Sequence, residues 1–236
     1  MEGRKKEMTK LKVVSIDMFR TLVDLESLER VIWRMLLKDK YTVALAKECA
    51  THAGNSLFKY LPQNKFLPVK LIFMACFTEL FSSTDIEFDP TEATKLWAQQ
   101  HSLAKPFDDS TLFLNAVGKE YPICLASDTD DDMLGALKQM YAFDYIFTSE
   151  QLGSYKANAD GRFFSAIIDY YGVRPEEIIH IGDGGLEIVG AGKAGITTCW
   201  LNRTGVEWSH DVKPNYEVNS LVDAASVLGV NIDSDP

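Results

Sequence analysis

Short apolar runs that stop on polar residues recur along the chain: KVVSID (12–17), YPICLAS (121–127), YIFTSE (145–150), EIIHIGD (177–183) and ITTCWLN (196–202). Their apolar residues do not alternate strictly with polar ones, the pattern of strands covered on both faces. Between several of them lie amphipathic segments of helical length, such as DDDMLGALKQMY (130–141) and DGRFFSAIIDYYG (160–172). Strands alternating with helices predict an α/β fold with a parallel sheet flanked by helices.

The first and second runs lie about a hundred residues apart, far more than the dozen or so that a crossover needs. Residues 25–104 carry helical periodicity and almost no β-branched alternation, so they are expected to form a helical second domain inserted over the sheet. Residues 1–24 and 105–236 then make the core domain, with Pro106 marking the return to it. Trp33, Phe58, Tyr60 and Phe66 are expected in the interior of the insert rather than on a substrate platform. The tail NIDSDP (231–236) reads as disordered.

At 236 residues and 46% apolar composition the chain can bury a sizeable core. Its net charge of −10 argues against a nucleic-acid partner, which needs Lys and Arg to neutralise phosphates. An anionic small-molecule substrate must therefore meet a locally positive pocket. Cys49, Cys76, Cys124 and Cys199 are dispersed without a CxxC pair and read as buried thiols of a reducing compartment. The N-terminal MEGRKKEMTKLK lacks the apolar stretch of a signal peptide, and the apolar segment 66–81 is interrupted by Pro68, Lys70 and Glu79. A cytoplasmic protein without a membrane partner is expected.

Ligands of open parallel sheets bind beyond the carboxyl ends of the strands. The groups predicted there are Asp17 and Thr21, Ser127 with Asp128 beside it, Asp183 and Glu187, and Lys156 in the loop GSYKANADG. An aspartate can attack phosphorus or carbon to form an ester that water later cleaves. Asp183 can help hold a hard cation that screens Asp17 from an anionic substrate. Lys156 balances the carboxylates, while Ser127 and Thr21 can donate to the transferring group.

Other patterns weigh less. A calcium loop beginning at Asp128 would place Met133 at the turn that needs glycine and Gln139 where a bidentate Glu belongs, so the acids of SDTDDD (127–132) are better placed at a helix N-terminus. GAGKAG (190–195) matches GxGxxG but does not directly follow a strand, and its glycines are expected to permit close helix packing. The four histidines are too dispersed to suggest a metal site.

In order from residue 12 to about 225, the chain resembles the haloacid dehalogenase superfamily of aspartate-nucleophile hydrolases. SIDMFRTL, LASD, Lys156 and HIGDGGLE carry the resemblance, with AGITTCWLNR and KPNYEV as further matching text. It implies a Rossmann-like core with an inserted α-helical cap. It also implies Asp17 as nucleophile, Mg²⁺ on Asp17, the Phe19 backbone carbonyl, Asp183 and Glu187, and a phosphoryl group held by Ser127 and Lys156.

Three departures qualify what the resemblance implies. Phosphatases of the family carry a second aspartate where this chain has Phe19, and a general acid–base contributes on the order of 10²–10⁴-fold. The family's dehalogenases place an aromatic residue there, because a halide leaves without a proton. Asp183 points the other way, since those dehalogenases use neutral residues in the fourth motif and no metal. Arg20 stands where the family has Gly, and Glu187 replaces its second aspartate in the fourth motif. The leading expectation is a Mg²⁺-dependent phosphatase of a small phosphate monoester, slowed by Phe19. A 2-haloacid dehalogenase and a degenerate ligand- or protein-binding member are the alternatives.

Overall fold

A computed structural model of the chain describes residues 10–60, 65–84 and 86–232. The start of the charged N-terminus, the side chains of Phe58 and Tyr60, and the tail from 233 lie outside the described residues. The chain opens with β1 (Val13–Ile16) and, after a tight turn, β2 (Val23–Asp24). Four α-helices follow: α1 (Glu26–Leu37), α2 (Val43–Tyr60), α3 (Val69–Ser83) and α4 (Pro90–His101). The two-residue β3 (Lys105–Pro106) pairs antiparallel with β2, tying the exit of this helical excursion to its entry. Then come α5 (Asp108–Val117), β4 (Ile123–Ser127), β5 (Tyr145–Thr148), α6 (Ser149–Leu152) and α7 (Arg162–Tyr171). The chain closes with β6 (Ile178–Gly182), α8 (Gly185–Lys193), β7 (Thr197–Leu201), β8 (Tyr216–Val218) and α9 (Leu221–Val227).

Six strands form a parallel sheet in the order β5-β4-β1-β6-β7-β8. Val14 pairs with Ile123 on one side and Ile179 on the other, so β1 is central. β1, β4 and β6 are wholly buried, which is why their sequences run apolar without alternation. β5 and β8 are the edge strands, and β5 leaves Tyr145 exposed. The chain leaves β1 toward β4 on one side and returns to β6 on the other. That reversal opens a crevice at the carboxyl end of β1.

Helices α1, α3 and α4 build a second apolar cluster around Ile32, Trp33, Leu36, Cys76, Phe77 and Leu80. Phe73 stacks on Trp97 within it at 3.4 Å between ring centroids. The result is a Rossmann-like parallel-sheet core with an inserted helical cap. Met133 and Tyr155 of the core complete the cap cluster, and Phe66 packs on Tyr155 at 5.2 Å.

The segment 130–141 departs from expectation. It is 3₁₀ from Asp131 to Gln139, broken at Gly135 with φ 47° and ψ −126°. A Cβ at 135 would lie 2.8 Å from Ser102 Cβ, so the approach of the chain after α4 requires glycine there and stops a regular α-helix. The acids beside it do lie at helix N-termini: Asp131 and Asp132 occupy the first turn of this segment. Asp130 is fully buried and accepts from the backbone N–H groups of Val69 (2.7 Å) and Lys70 (2.9 Å), capping the cap helix α3 from the core. Asp132 pairs with Lys70 at 2.6 Å, and the Tyr155 hydroxyl donates to the Leu67 carbonyl. All four cysteines are free and buried, and no helix among the described residues is long and apolar enough to cross a membrane.

Candidate active site

Asp17 follows β1 directly and still donates its backbone N–H to the Ile181 carbonyl at 2.9 Å, so the sheet holds it at the crevice. The next residues turn back at once: Leu22 and Val23 both donate to the Met18 carbonyl, and Arg20 takes φ 67°. This left-handed conformation favours glycine. The Arg20 guanidinium reaches Glu29 of α1 at 2.5 Å, toward the cap. The Phe19 ring also turns toward the cap and meets the His101 ring edge-on at 5.2 Å.

Lys156 is 3% exposed and spends its ammonium on three acceptors: Asp17 Oδ1 at 2.6 Å, the Ala126 carbonyl at 3.1 Å, and the Glu187 carboxylate. Burial alone would favour the neutral amine. Asp17, Glu187 and Asp128 outweigh it and hold the group charged. The Lys156 backbone N–H donates to Asp128 Oδ1 at 2.9 Å, which fixes the carboxyl of the second strand-end motif.

Glu187 Oε1 accepts from the Gly184 N–H at 2.9 Å, the capping contact that starts α8. Its Oε2 takes Lys156 and His180 Nε2, the latter at 3.2 Å. A carboxylate only accepts, so His180 donates from Nε2 and accepts the Ser15 hydroxyl at Nδ1, 3.0 Å away. Burial lowers the imidazole pKa, consistent with a neutral ring.

The structure places Thr21 behind Asp183. It was expected to donate to the transferring group, but it is fully buried and does not line the catalytic cleft. Its hydroxyl accepts from the Asp183 backbone N–H at 3.1 Å and faces Asp183 Oδ1 at 3.4 Å, so it orients that carboxylate. Trp200 Nε1 holds the Asp183 carbonyl at 2.9 Å. The other candidates, Asp17, Ser127, Asp128, Lys156, Asp183 and Glu187, do line one cleft of about 460 Å³. The Ser127 hydroxyl, fully buried at its wall, has no hydrogen-bond partner among the described residues.

The cleft is short of positive charge. Burial raises the Asp17 carboxyl well above its usual range against the pull of Lys156, and burial with Glu187 pushes Asp183 up to about 7. Glu187, although buried, is held at about 2 by Lys156 and His180. Asp17, Asp183 and Glu187 each offer an oxygen, and the three oxygens lie within 4.8 Å of one another. Hard oxygen donors around a deficit of positive charge fit Mg²⁺. Both Glu187 oxygens already accept hydrogen bonds, so Asp17 and Asp183 are the freer donors.

A second cavity of about 420 Å³ lies under the cap, lined by Trp33, Phe73, Phe77, Trp97 and His101, with Lys47 and Thr51 among its polar groups. Sequence reasoning did not single out His180, Trp200 or His101. His180 and Trp200 sit in strand runs that look like plain core, His101 sits among Gln99, Gln100 and Ser102 at a polar helix end, and no spacing in the chain pairs any of them with its distant partner.

A family model described as haloacid dehalogenase-like hydrolase matches residues 11–195. Over 233 residues the chain is 28% identical to the pyrimidine 5'-nucleotidase PynA of Streptococcus pneumoniae, covering 94% of this chain and 96% of that protein. Over 117 residues it is 29% identical to the (S)-2-haloacid dehalogenase 4A of Burkholderia cepacia, covering 48% of this chain and only half, 50%, of that protein's length. Among solved structures, magnesium-bound YfnB of Bacillus subtilis superposes with a TM-score of 0.80 at 18% identity, covering 93% of this chain and 99% of that one. At that identity the likeness is one of fold.

Proposed function

The chain belongs to the haloacid dehalogenase-like hydrolases, and on that premise we propose that it is a Mg²⁺-dependent phosphatase of a small phosphate monoester. The observation that carries this reading is the presence of Asp183 beside Asp17 in a cleft where buried carboxyls outnumber the single lysine. A carbon–halogen hydrolase acting through one aspartate has no use for such a cluster, whereas a phosphate dianion needs a cation between itself and the nucleophile. The near full-length similarity to a nucleotidase supports the same reading.

In this reading Asp17 attacks phosphorus to give an acyl phosphate that water then cleaves. Lys156 draws Asp17 toward its ionised form and orients it, and its charge faces the transferring oxygens together with the Ser127 hydroxyl. Asp17, Asp183 and the Phe19 carbonyl would hold Mg²⁺, with Glu187 beside them. The bound ion would neutralise charge on the phosphoryl oxygens. The cap cavity, with its Trp33, Phe73 and Trp97 rings, takes the alcohol part of the ester, and its size suits a compound carrying one flat ring.

The test is phosphate release from p-nitrophenyl phosphate with Mg²⁺ and with EDTA, using Asp17→Asn as control. Mg²⁺-dependent release that disappears in the variant supports the reading; release unaffected by Asp17→Asn would sink it. Phe19 favours a second reading, a 2-haloacid dehalogenase, to which the partial match also points. Chloride release from 2-chloropropionate in EDTA would establish that one instead.

A further inference from the structure

Two spaces meet at the carboxyl end of β1: the cleft holding Asp17, Lys156 and Asp183, and the ring-lined cavity under the cap. Among the described residues, only Phe19 and Asp128 line both. If the phosphoryl group occupies the cleft and the alcohol the cavity, the scissile P–O bond lies at their junction, so this inference rests on the phosphatase reading above. An alkoxide or phenoxide leaving phosphorus is a strong base and needs a proton as the bond breaks. The donor must stand at the junction, and Phe19 has no proton to give.

We propose that Asp128 is the general acid and general base of this hydrolase. Its Oδ1 is held by the Lys156 N–H at 2.9 Å, and its Oδ2 has no hydrogen-bond partner among the described residues. The carboxyl is thus anchored at one oxygen and open at the other. Burial pushes it up to about 6, so it holds a proton more readily than an ordinary aspartate near neutral pH. The rival groups are less well placed. His101 lines the cavity but not the cleft, and burial lowers it to about 4 while its Nδ1 faces the Trp97 carbonyl at 2.8 Å. Glu29 lines only the cavity and is paired with Arg20; His210 and Asp183 line only the cleft.

In the first step an Asp17 oxygen forms a bond to phosphorus and the P–O bond to the alcohol breaks. The bonding pair goes to the leaving oxygen, which takes the proton from Asp128 Oδ2. In the second, a water oxygen attacks the acyl phosphate while the Asp128 carboxylate takes one of its protons. The bond between phosphorus and Asp17 breaks, its pair returning to the Asp17 carboxylate. Phosphate leaves, and Asp128 is protonated again.

The experiment compares kcat/KM, which reports the first step, for phenyl phosphate and p-nitrophenyl phosphate in wild type and Asp128→Asn. These substrates have similar shapes but differ in the basicity of the leaving oxygen, and asparagine keeps the acceptor for the Lys156 N–H. The variant should lose about a hundredfold or more on phenyl phosphate and less than about tenfold on p-nitrophenyl phosphate. Equal losses on both, or none, would overturn the proposal. Should the variant not fold, the wild type alone decides. Values for the two esters within about tenfold of each other support proton donation, and a steep fall with leaving-group basicity overturns it. Absence of phosphate release from either ester by wild type with Mg²⁺ would instead overturn the phosphatase reading, and this proposal with it.

Discussion

Gly190 of α8 is pressed against the backbone of Lys156: a Cβ at 190 would overlap the Lys156 carbonyl oxygen and lie 3.3 Å from the Phe164 ring. Of the glycines of GAGKAG, Gly190 is the one that lets the helix approach the loop carrying the central lysine. Gly190→Ala must therefore move Lys156 or tilt α8. A displacement near 1 Å in such a site costs on the order of 10²-fold. We expect kcat on p-nitrophenyl phosphate to fall by about 10–100-fold, while Gly192→Ala, whose Cβ would meet Val212 Cγ1 at 3.3 Å, falls less. Steady-state assays of the two variants side by side check this, and equal activity would show that the contact is not limiting.

Lys156→Met should abolish activity and destabilise the fold. Asp17 and Glu187, both buried, lose their shared cation, and an uncompensated buried charge costs about 3–5 kcal/mol. Adding Glu187→Gln removes one of the stranded charges and should recover part of that loss. Urea unfolding of the wild type, both single variants and the double variant measures the coupling.

Asp130→Ala removes the acceptor for two N–H groups at the start of α3. The expected loss is about 1–2 kcal/mol of stability. Hydrogen exchange should show it as faster exchange in the first turn of α3, with the sheet amides unchanged relative to the global loss.

Thr21→Val leaves Asp183 without the hydroxyl that receives its N–H and faces its carboxylate. Partners of this kind are worth about 10–100-fold in metal affinity. The concentration of Mg²⁺ giving half-maximal rate should rise by that order, while KM for the phosphate ester at saturating Mg²⁺ changes little. The opposite pattern would return Thr21 to direct substrate contact.

His101 makes stability depend on pH. Burial pushes its imidazole down to about 4 in the folded protein. The unfolded chain takes up the proton first, near pH 6.5, so the contribution is fully present above that pH and is lost as pH falls toward 4. Integrated over this window, it amounts to roughly 3 kcal/mol. His101→Gln, which does not titrate, should flatten the fall in stability between about pH 6.5 and 4; an unchanged slope would assign the acid sensitivity to other groups.

What the sequence determined by itself was the sheet and the residues gathered at its edge. Each strand is a local apolar run with its own stop, and Asp17, Ser127 and Asp183 sit where β1, β4 and β6 stop or just beyond. Strand ends of a parallel sheet share one rim, so locating the stops also located the cleft. What only the tertiary structure decided was which distant group each polar side chain meets. Thr21 meets Asp183 162 positions away, and Asp130 meets Val69 61 positions away. Arg20 turns to the cap, and His180 stands behind Glu187. Periodicity records which face of an element is buried. A hydroxyl, carboxylate or imidazole satisfied over such separations leaves no trace in the local pattern, because its partner is supplied only when the elements pack.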